Sequence, residues 1–382
     1  MRAMTEQEAY VALNLVPAMG AATVRAGVAK FGSAAAFLRA GAAGLVGLPG
    51  VGRVRAAQFA DAFATVDWRG ELERARKSAI RLVTPPDDAY PAPLRDIHLP
   101  ALALYVAGDP AALSGPCVAI VGTRAPTPYG SEIARSFAYR LAQAGLTIVS
   151  GLARGVDTAA AEGALLARGR TVAVIGSALD RLYPPENRSL ARRIVAAGGA
   201  VVSEYPFGRA ADRQTFPMRN RLIAGLSAGT LCVEAGLTSG TLITAEHAME
   251  QGRSVMAVPG RVTDPTALGC LKLIRDGARL VLSPEDVLDE LSSLPGFRVP
   301  EPVAAAAGAP ADDGGAPPPP ASSASPEEAR VLAALAGGPL QPDEICAAAD
   351  VPPDRAVPLL IAMEMKCLLE RNPDGSLRAR RR

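Results

Sequence analysis

Between residues 115 and 285 the sequence alternates short apolar runs with longer amphipathic stretches, and this alternation constrains the fold more than any other feature. The runs are "CVAIVG" from 117, "LTIVS" from 146, "TVAVIG" from 171, "AVVS" from 200, "TLCVE" from 230, "SVMAVPG" from 254 and "RLVL" from 279. Each is brief, rich in β-branched residues and nearly free of charge, which predicts strands buried on both faces. With helices between them they predict a parallel sheet covered on both sides. "LALYVAG", within the lead-in segment 80–115, is a further candidate strand.

The flanks read differently. Residues 1–70 predict short helices. "GLPGVGRVRAAQFADAF" places a glycine turn before Arg53 and Arg55, the pattern of a helix-hairpin-helix element. Such a turn lets backbone N–H groups and a helix N-terminus approach a phosphate. A weaker copy is "VPAMGAATVRAGVAKFG", and a plain helical cap packed on the next domain is the other reading. From 300 to 320 seven prolines stand among alanines and glycines, a linker composition. After it, "SPEEARVLAAL", "PDEICAAAD" and "DRAVPLLIAMEMKCLLE" predict three helices, followed by a turn at "NPDGS" and a basic tail, as in a small winged-helix module. The expected division is 1–70, 71–295, a linker at 296–325, and 326–382.

Composition excludes several classes. The net charge of +2 leaves no room for a polybasic coat, so any basic surface is local. Five scattered cysteines, Cys117, Cys232, Cys270, Cys346 and Cys367, never form a C-x-x-C pair. That pattern points to reduced thiols and away from a zinc ribbon or disulfide scaffold. With only His98 and His247 besides, no metal and no cofactor is expected. No secretory leader or membrane-spanning run is legible, and a cytoplasmic location is expected.

In an open parallel sheet, ligands bind beyond the carboxyl ends of the strands. Those ends carry Gly122-Thr123-Arg124, then Ser150 to Gly155 with Arg154, then Gly176-Ser177, Ser203-Glu204, Glu234 with Ser239-Gly240-Thr241, and Pro259-Gly260-Arg261. Glycines, hydroxyls and arginines at helix starts suit phosphate. A dinucleotide fingerprint, a P-loop and a nucleophile elbow are all missing. The segment 205–221, "YPFGRAADRQTFPMRNR", sets Arg209, Arg213, Arg219 and Arg221 against one Asp212, with Phe207 and Phe216 interleaved. Cations for phosphates and rings for base faces are what a single strand of nucleic acid requires. Arg124 and Arg213 read as ligand contacts. Arg219 and Arg221, which flank Asn220, read equally as contacts or as ion pairs with Glu204 or Glu234. Arg154 is open to pairing with Asp157 or Glu162.

Taken together, "SGLARGVDTAAAEGAL", "VIGSALDRLYPPENRSLA", "SEYPFG", "FPMRNRLIAGLS" and "SGTLITAEHAMEQGRSVMAVPG" closely resemble the DNA-processing protein A (DprA/Smf) family over about residues 80–290. The resemblance implies an extended Rossmann core that dimerises, an outer helical domain of helix-hairpin-helix or SAM-like type, and a winged helix. It implies a protein that is not an enzyme. Such a protein binds and protects single-stranded DNA in natural transformation and helps load the RecA recombinase. In the family pattern the DNA pocket uses a glycine-hydroxyl-arginine motif, here Gly122, Thr123 and Arg124, and a basic residue three positions before a phenylalanine, here Arg213 and Phe216. Arg213 replaces a frequent lysine, exchanging a point charge for a fork. Ala161 stands where family members often carry histidine.

Two rivals remain at this stage. "LTSGTLITAEHA" is related to the motif of Rossmann-type nucleoside-monophosphate phosphoribohydrolases resembling the LOG family, whose glutamate follows the threonine by three positions. Here Thr244 occupies that place and Glu246 is two places late. The other rival is a nucleotide-binding scaffold.

Overall fold

The structure is a computed structural model and describes residues 4–298, 326–335, 338–352, 359–360, 363, 368–371 and 376–379. Met1–Ala306 and Ala307–Arg382 form two compact units.

The first unit opens with six helices: α1 (Glu6–Leu15), α2 (Ala21–Phe31), α3 (Ala34–Leu38), α4 (Ala42–Leu45), α5 (Arg53–Thr65) and α6 (Trp68–Lys77). Thr5 and Glu8 start α1 with a reciprocal capping box. Leu13, Phe37, Leu45 and Phe59 fill the helical core. Gly27 is required there, because a Cβ would stand 2.6 Å from the Phe37 ring. The helices bear on the edge of the sheet. Val11 packs with Ala103 and Tyr105, and the Tyr105 hydroxyl donates to Glu71 at 2.8 Å.

Nine strands form one sheet: β1 (Arg81–Val83), β2 (Leu104–Gly108), β3 (Cys117–Val121), β4 (Thr147–Ser150), β5 (Thr171–Val174), β6 (Ala200–Ser203), β7 (Gly229–Cys232), β8 (Ser254–Ala257) and β9 (Arg279–Leu280). Their order is β1-β2-β6-β5-β4-β3-β7-β8-β9. From β6 to β9 every pairing is parallel, and β1 and β2 add an antiparallel margin beside β6. The alternation read from the sequence therefore forms the parallel core expected of it. The short β1 is an addition.

The helices of the core are α7 (Ala92–Arg95), α8 (Pro128–Gln143), α9 (Val156–Leu166), α10 (Arg188–Ala196), α11 (Thr215–Leu226), α12 (Gly240–Glu250), α13 (Leu268–Arg275) and α14 (Pro284–Ser292). They cover both faces of the sheet. Val149, Val172, Val202, Leu222 and Ala245 lie in one buried layer and Ile120, Ile148, Phe137, Leu141 and Leu231 in the other. One topological fact positions the site. The chain runs outward from β3 through β4 and β5 to β6, then returns over α11 to lay β7 against the other side of β3. The loops after β3 and β7 therefore diverge and leave a crevice between them.

In the second unit, α15 (Pro326–Ala334) and α16 (Pro342–Ala349) pack with an antiparallel hairpin, β10 (Leu369–Arg371) and β11 (Leu377–Ala379), around Val331, Ile345, Met363 and Leu377. Leu369 and Glu370, read from sequence as the end of a third helix, lie in β10. Most of the expected linker, Cys367, the basic residues Arg355 and Lys366 of the expected third helix, and the last three arginines lie outside the described residues.

Candidate nucleic-acid interface

The crevice beside β3 and β7 is a cleft of about 430 Å³. Val121, Gly122 and Arg124 come from the end of β3. Phe216, Pro217, Arg219, Asn220 and Ile223 come from α11, and Ser239, Gly240, Thr241 and Thr244 from the start of α12. Ser239 caps α12, its hydroxyl accepting from the Thr241 N–H at 3.2 Å, so the positive end of that helix faces the cleft.

The loop after β3 is tied on two sides. The Thr123 N–H donates to the Glu234 carbonyl at 2.7 Å, and the Thr123 carbonyl accepts from the Val156 N–H at 3.2 Å. A Cβ on Gly122 would stand 2.5 Å from the Val156 side chain, so only glycine permits this closeness. Glu234 is buried and takes the Thr127 N–H at 2.9 Å and the Thr127 hydroxyl. It holds the start of α8 and leaves both α11 arginines to other partners.

Those arginines separate cleanly. Arg221 is buried and bidentate to Glu204, at 2.6 Å for each nitrogen, with a further bond to the Leu99 carbonyl at 2.9 Å. The ion-pair reading is the one the geometry supports for it, and Arg221 is no part of the cleft wall. Arg219 is buried under the cleft and donates to the Gly151 carbonyl at 2.7 Å and to the Val174 carbonyl. Among the described residues no carboxylate pairs with it directly. Burial pulls its guanidinium down to about 10 while Asp157 works the other way, so it is cationic at neutral pH. Gly151 makes room: a Cβ there would stand 2.6 Å from the Arg219 guanidinium. Asp157 is buried and accepts the N–H groups of Gly151 and Ala153, at 3.0 and 3.2 Å. Burial raises its carboxyl above the ordinary range, opposed by the Arg219 charge.

On the rim two aromatic rings lie between two arginines. The exposed Arg124 lies over the Phe216 ring, 4.8 Å from its centroid. Phe216 and Tyr183 are neighbours, with centroids 5.8 Å apart. Arg154 lies 6.0 Å from the Tyr183 centroid and pairs with Glu186, while Glu162 pairs with Arg135. Cation, ring, ring and cation thus follow one another beside the cleft. Tyr183 is a rim residue that the sequence does not single out; its only sequence signal is being one of few aromatics, 4% of the chain, in a polar stretch.

Of the sequence candidates, Gly122, Arg124, Phe216, Arg219, Asn220, Ser239, Gly240 and Thr241 converge on the cleft. Asn220 donates to the Gly240 carbonyl at 3.3 Å, joining α11 to α12. Thr123 stays in the supporting loop, its hydroxyl accepting from Ala125 at 3.2 Å. Arg154 stands on the adjoining rim. Arg213 is exposed on the turn before α11 and makes no side-chain hydrogen bond or ion pair among the described residues. Glu246, the acid of the rival enzyme reading, is exposed and outside the cleft wall, whereas Thr244 is in it. Among the described residues no cluster of histidine, cysteine and carboxylate side chains could hold a metal, and no helix is long and apolar enough to cross a membrane.

Comparison with known proteins bears on the same residues. Residues 81–292 match the family model described as DNA recombination-mediator protein A, and residues 315–375 match the DprA winged helix domain. Protein Smf from Synechocystis is 44% identical over 228 residues, which are 59% of this chain and 57% of that protein. The chain thus spans little more than half the length of that relative. An X-ray structure of DNA processing protein A from Streptococcus pneumoniae aligns with TM-score 0.65 at 34% identity, over 76% of this chain and 99% of that one. DNA processing protein A from Helicobacter pylori, whose single-stranded DNA binding mode is described, aligns with TM-score 0.50 at 30% identity, over 56% of this chain and 97% of that one.

Proposed function

The chain belongs to the DNA recombination-mediator protein A family, and from that premise we propose that its cleft binds single-stranded DNA. The observation that carries this reading is the rim on which Arg124 and Arg154 flank the adjoining rings of Phe216 and Tyr183, beside a pocket floored by Arg219. The exposed Tyr183 and the half-buried Phe216 offer ring faces to unpaired bases of any sequence, each worth about 1–3 kcal/mol, and duplex DNA keeps its bases stacked internally. Arg124, Arg219 and the positive end of α12 supply the complement to phosphate. Arg213 extends the positive potential from the turn. The bound strand is protected and handed to a RecA-class recombinase, in keeping with the family's description as a recombination mediator, and natural transformation is the setting.

The reading is of a binding protein and not an enzyme. Asp157 is the one acid in the cleft wall, and it is buried and engaged by the Gly151 and Ala153 N–H groups. A homodimer through the sheet domain is part of the proposal. On its outer side β9 has no strand partner among the described residues, and Leu280 and Leu282 are exposed there, 42% and 72%.

Gel-shift titration of the purified protein with single- and double-stranded oligonucleotides of one sequence tests the proposal. A clear preference for the single strand is expected, with affinity falling steeply as salt rises. Equal affinity for duplex, or turnover of a nucleoside monophosphate abolished by Glu246→Gln, would replace the reading with another.

A further inference from the structure

We propose that single-stranded DNA leaving the cleft continues over α10, whose arginines hold its phosphate backbone; this rests on the single-strand reading of the cleft. The helix sequence is "RSLARRIVA", with Leu190, Ala191 and Ile194 buried against the sheet. Arg188, Arg192 and Arg193 are exposed. None of the three makes a side-chain hydrogen bond, ion pair or ring contact among the described residues, and α10 carries no acidic residue. Three other helices pair cations with carboxylates, although Arg25 of α2 and Arg53 of α5, like the α10 arginines, have no such partner among the described residues. In α6, Arg74 pairs with Glu71, and Arg76 and Lys77 with Glu73. In α8, Arg135 and Arg140 reach Glu162 and Glu285, and in α13 Lys272 reaches Asp276.

The placement on α10 is electrostatically unfavourable for the free protein. Arg188 is in the first turn, where the helix dipole favours an anion. Arg188 and Arg192 are four apart, so like charges face one another on one side of the helix. A phosphate chain along that face would relieve both. Position argues for the same occupant. Asn187, immediately before α10, donates to the Leu152 carbonyl at 2.9 Å, and Glu186 pairs with Arg154 on the cleft rim. The helix therefore starts where the rim ends and carries its charges about 8 Å along its axis away from it. Its far end meets the start of β5, where Gly199 abuts the Thr171 carbonyl and Arg170 stands exposed and unpaired among the described residues. The cations thus run from the cleft rim toward the amino-terminal ends of β5 and β6.

The test compares Arg188→Gln/Arg192→Gln/Arg193→Gln with the unaltered protein, on oligo-dT of about 6 and about 30 nucleotides. For the long oligonucleotide the slope of log affinity against log salt is expected to shrink by about two, since each lost phosphate contact on a single strand removes roughly 0.7. The short oligonucleotide should bind unchanged, and the corresponding triple lysine variant should restore the slope. Identical slopes for the Gln variant and the unaltered protein on the long strand would overturn the α10 path and leave the cleft reading standing. Loss of binding to both lengths alike would also overturn it. Failure of the unaltered protein to bind either length would end the cleft reading, and the path with it.

Discussion

Arg219 and Arg221 stand two positions apart on α11, so about 200° of rotation sends their side chains to different surroundings. One lies beneath the cleft, held by backbone carbonyls; the other is locked to Glu204. Substitutions should separate them. Arg221→Ala strands the Glu204 carboxylate in a nearly dry site and should destabilise the fold by about 3 kcal/mol, read as a lowered midpoint in urea. Arg124 is exposed, so Arg124→Ala should leave that midpoint in place. It should reduce the salt slope of oligonucleotide binding by about 0.7, the share of one phosphate. Phe216→Ala should weaken binding by about 1–3 kcal/mol at an unchanged slope, because stacking involves no counterion release. If the Arg124 and Phe216 variants both bind as tightly as the unaltered protein, the rim does not touch the strand.

At the scale of elements, the sequence made the strands legible because apolar β-branched runs between helices have few alternatives. It did not reveal β1, where three residues offer too short a pattern. It misplaced Leu369 and Glu370, because "KCLLE" continues a helical period until the hairpin partner β11 claims it. The strand ends carrying glycine, hydroxyl and arginine were readable one at a time. Their convergence was not, since it depends on β7 returning to the side of β3, a pairing across more than a hundred residues. The partner of Arg221 was undecidable for a like reason: both Glu204 and Glu234 fall near strand ends, and only the path of α11 chooses between them. Tyr183 escaped because its value lies in its neighbour Phe216, brought close by the fold. The loop supporting the cleft offers a test at this scale. Gly151→Ala would drive a methyl into the Arg219 guanidinium and should cost oligonucleotide affinity together with stability, measured by titration and urea unfolding. Retention of both would show that Arg219 has room to move.

For the whole molecule, the cleft, the α10 face and the exposed edge of β9 belong to one compact unit built on a single sheet. Dimerisation through the β9 edge would give each assembly two clefts and hence a bivalent hold on one long strand. Sedimentation should therefore give twice the chain mass, and Leu280→Glu/Leu282→Glu should give a folded monomer that binds long oligonucleotides more weakly than short ones would suggest. A monomeric unaltered protein would remove the dimer from the account. Where the strand lies is decided by a crystal structure of the full chain grown with oligo-dT. A base stacked on Phe216 or Tyr183, with phosphates against Arg124 and the start of α12, is expected. An ordered strand bound elsewhere on the protein, with the cleft between β3 and β7 empty, would contradict it.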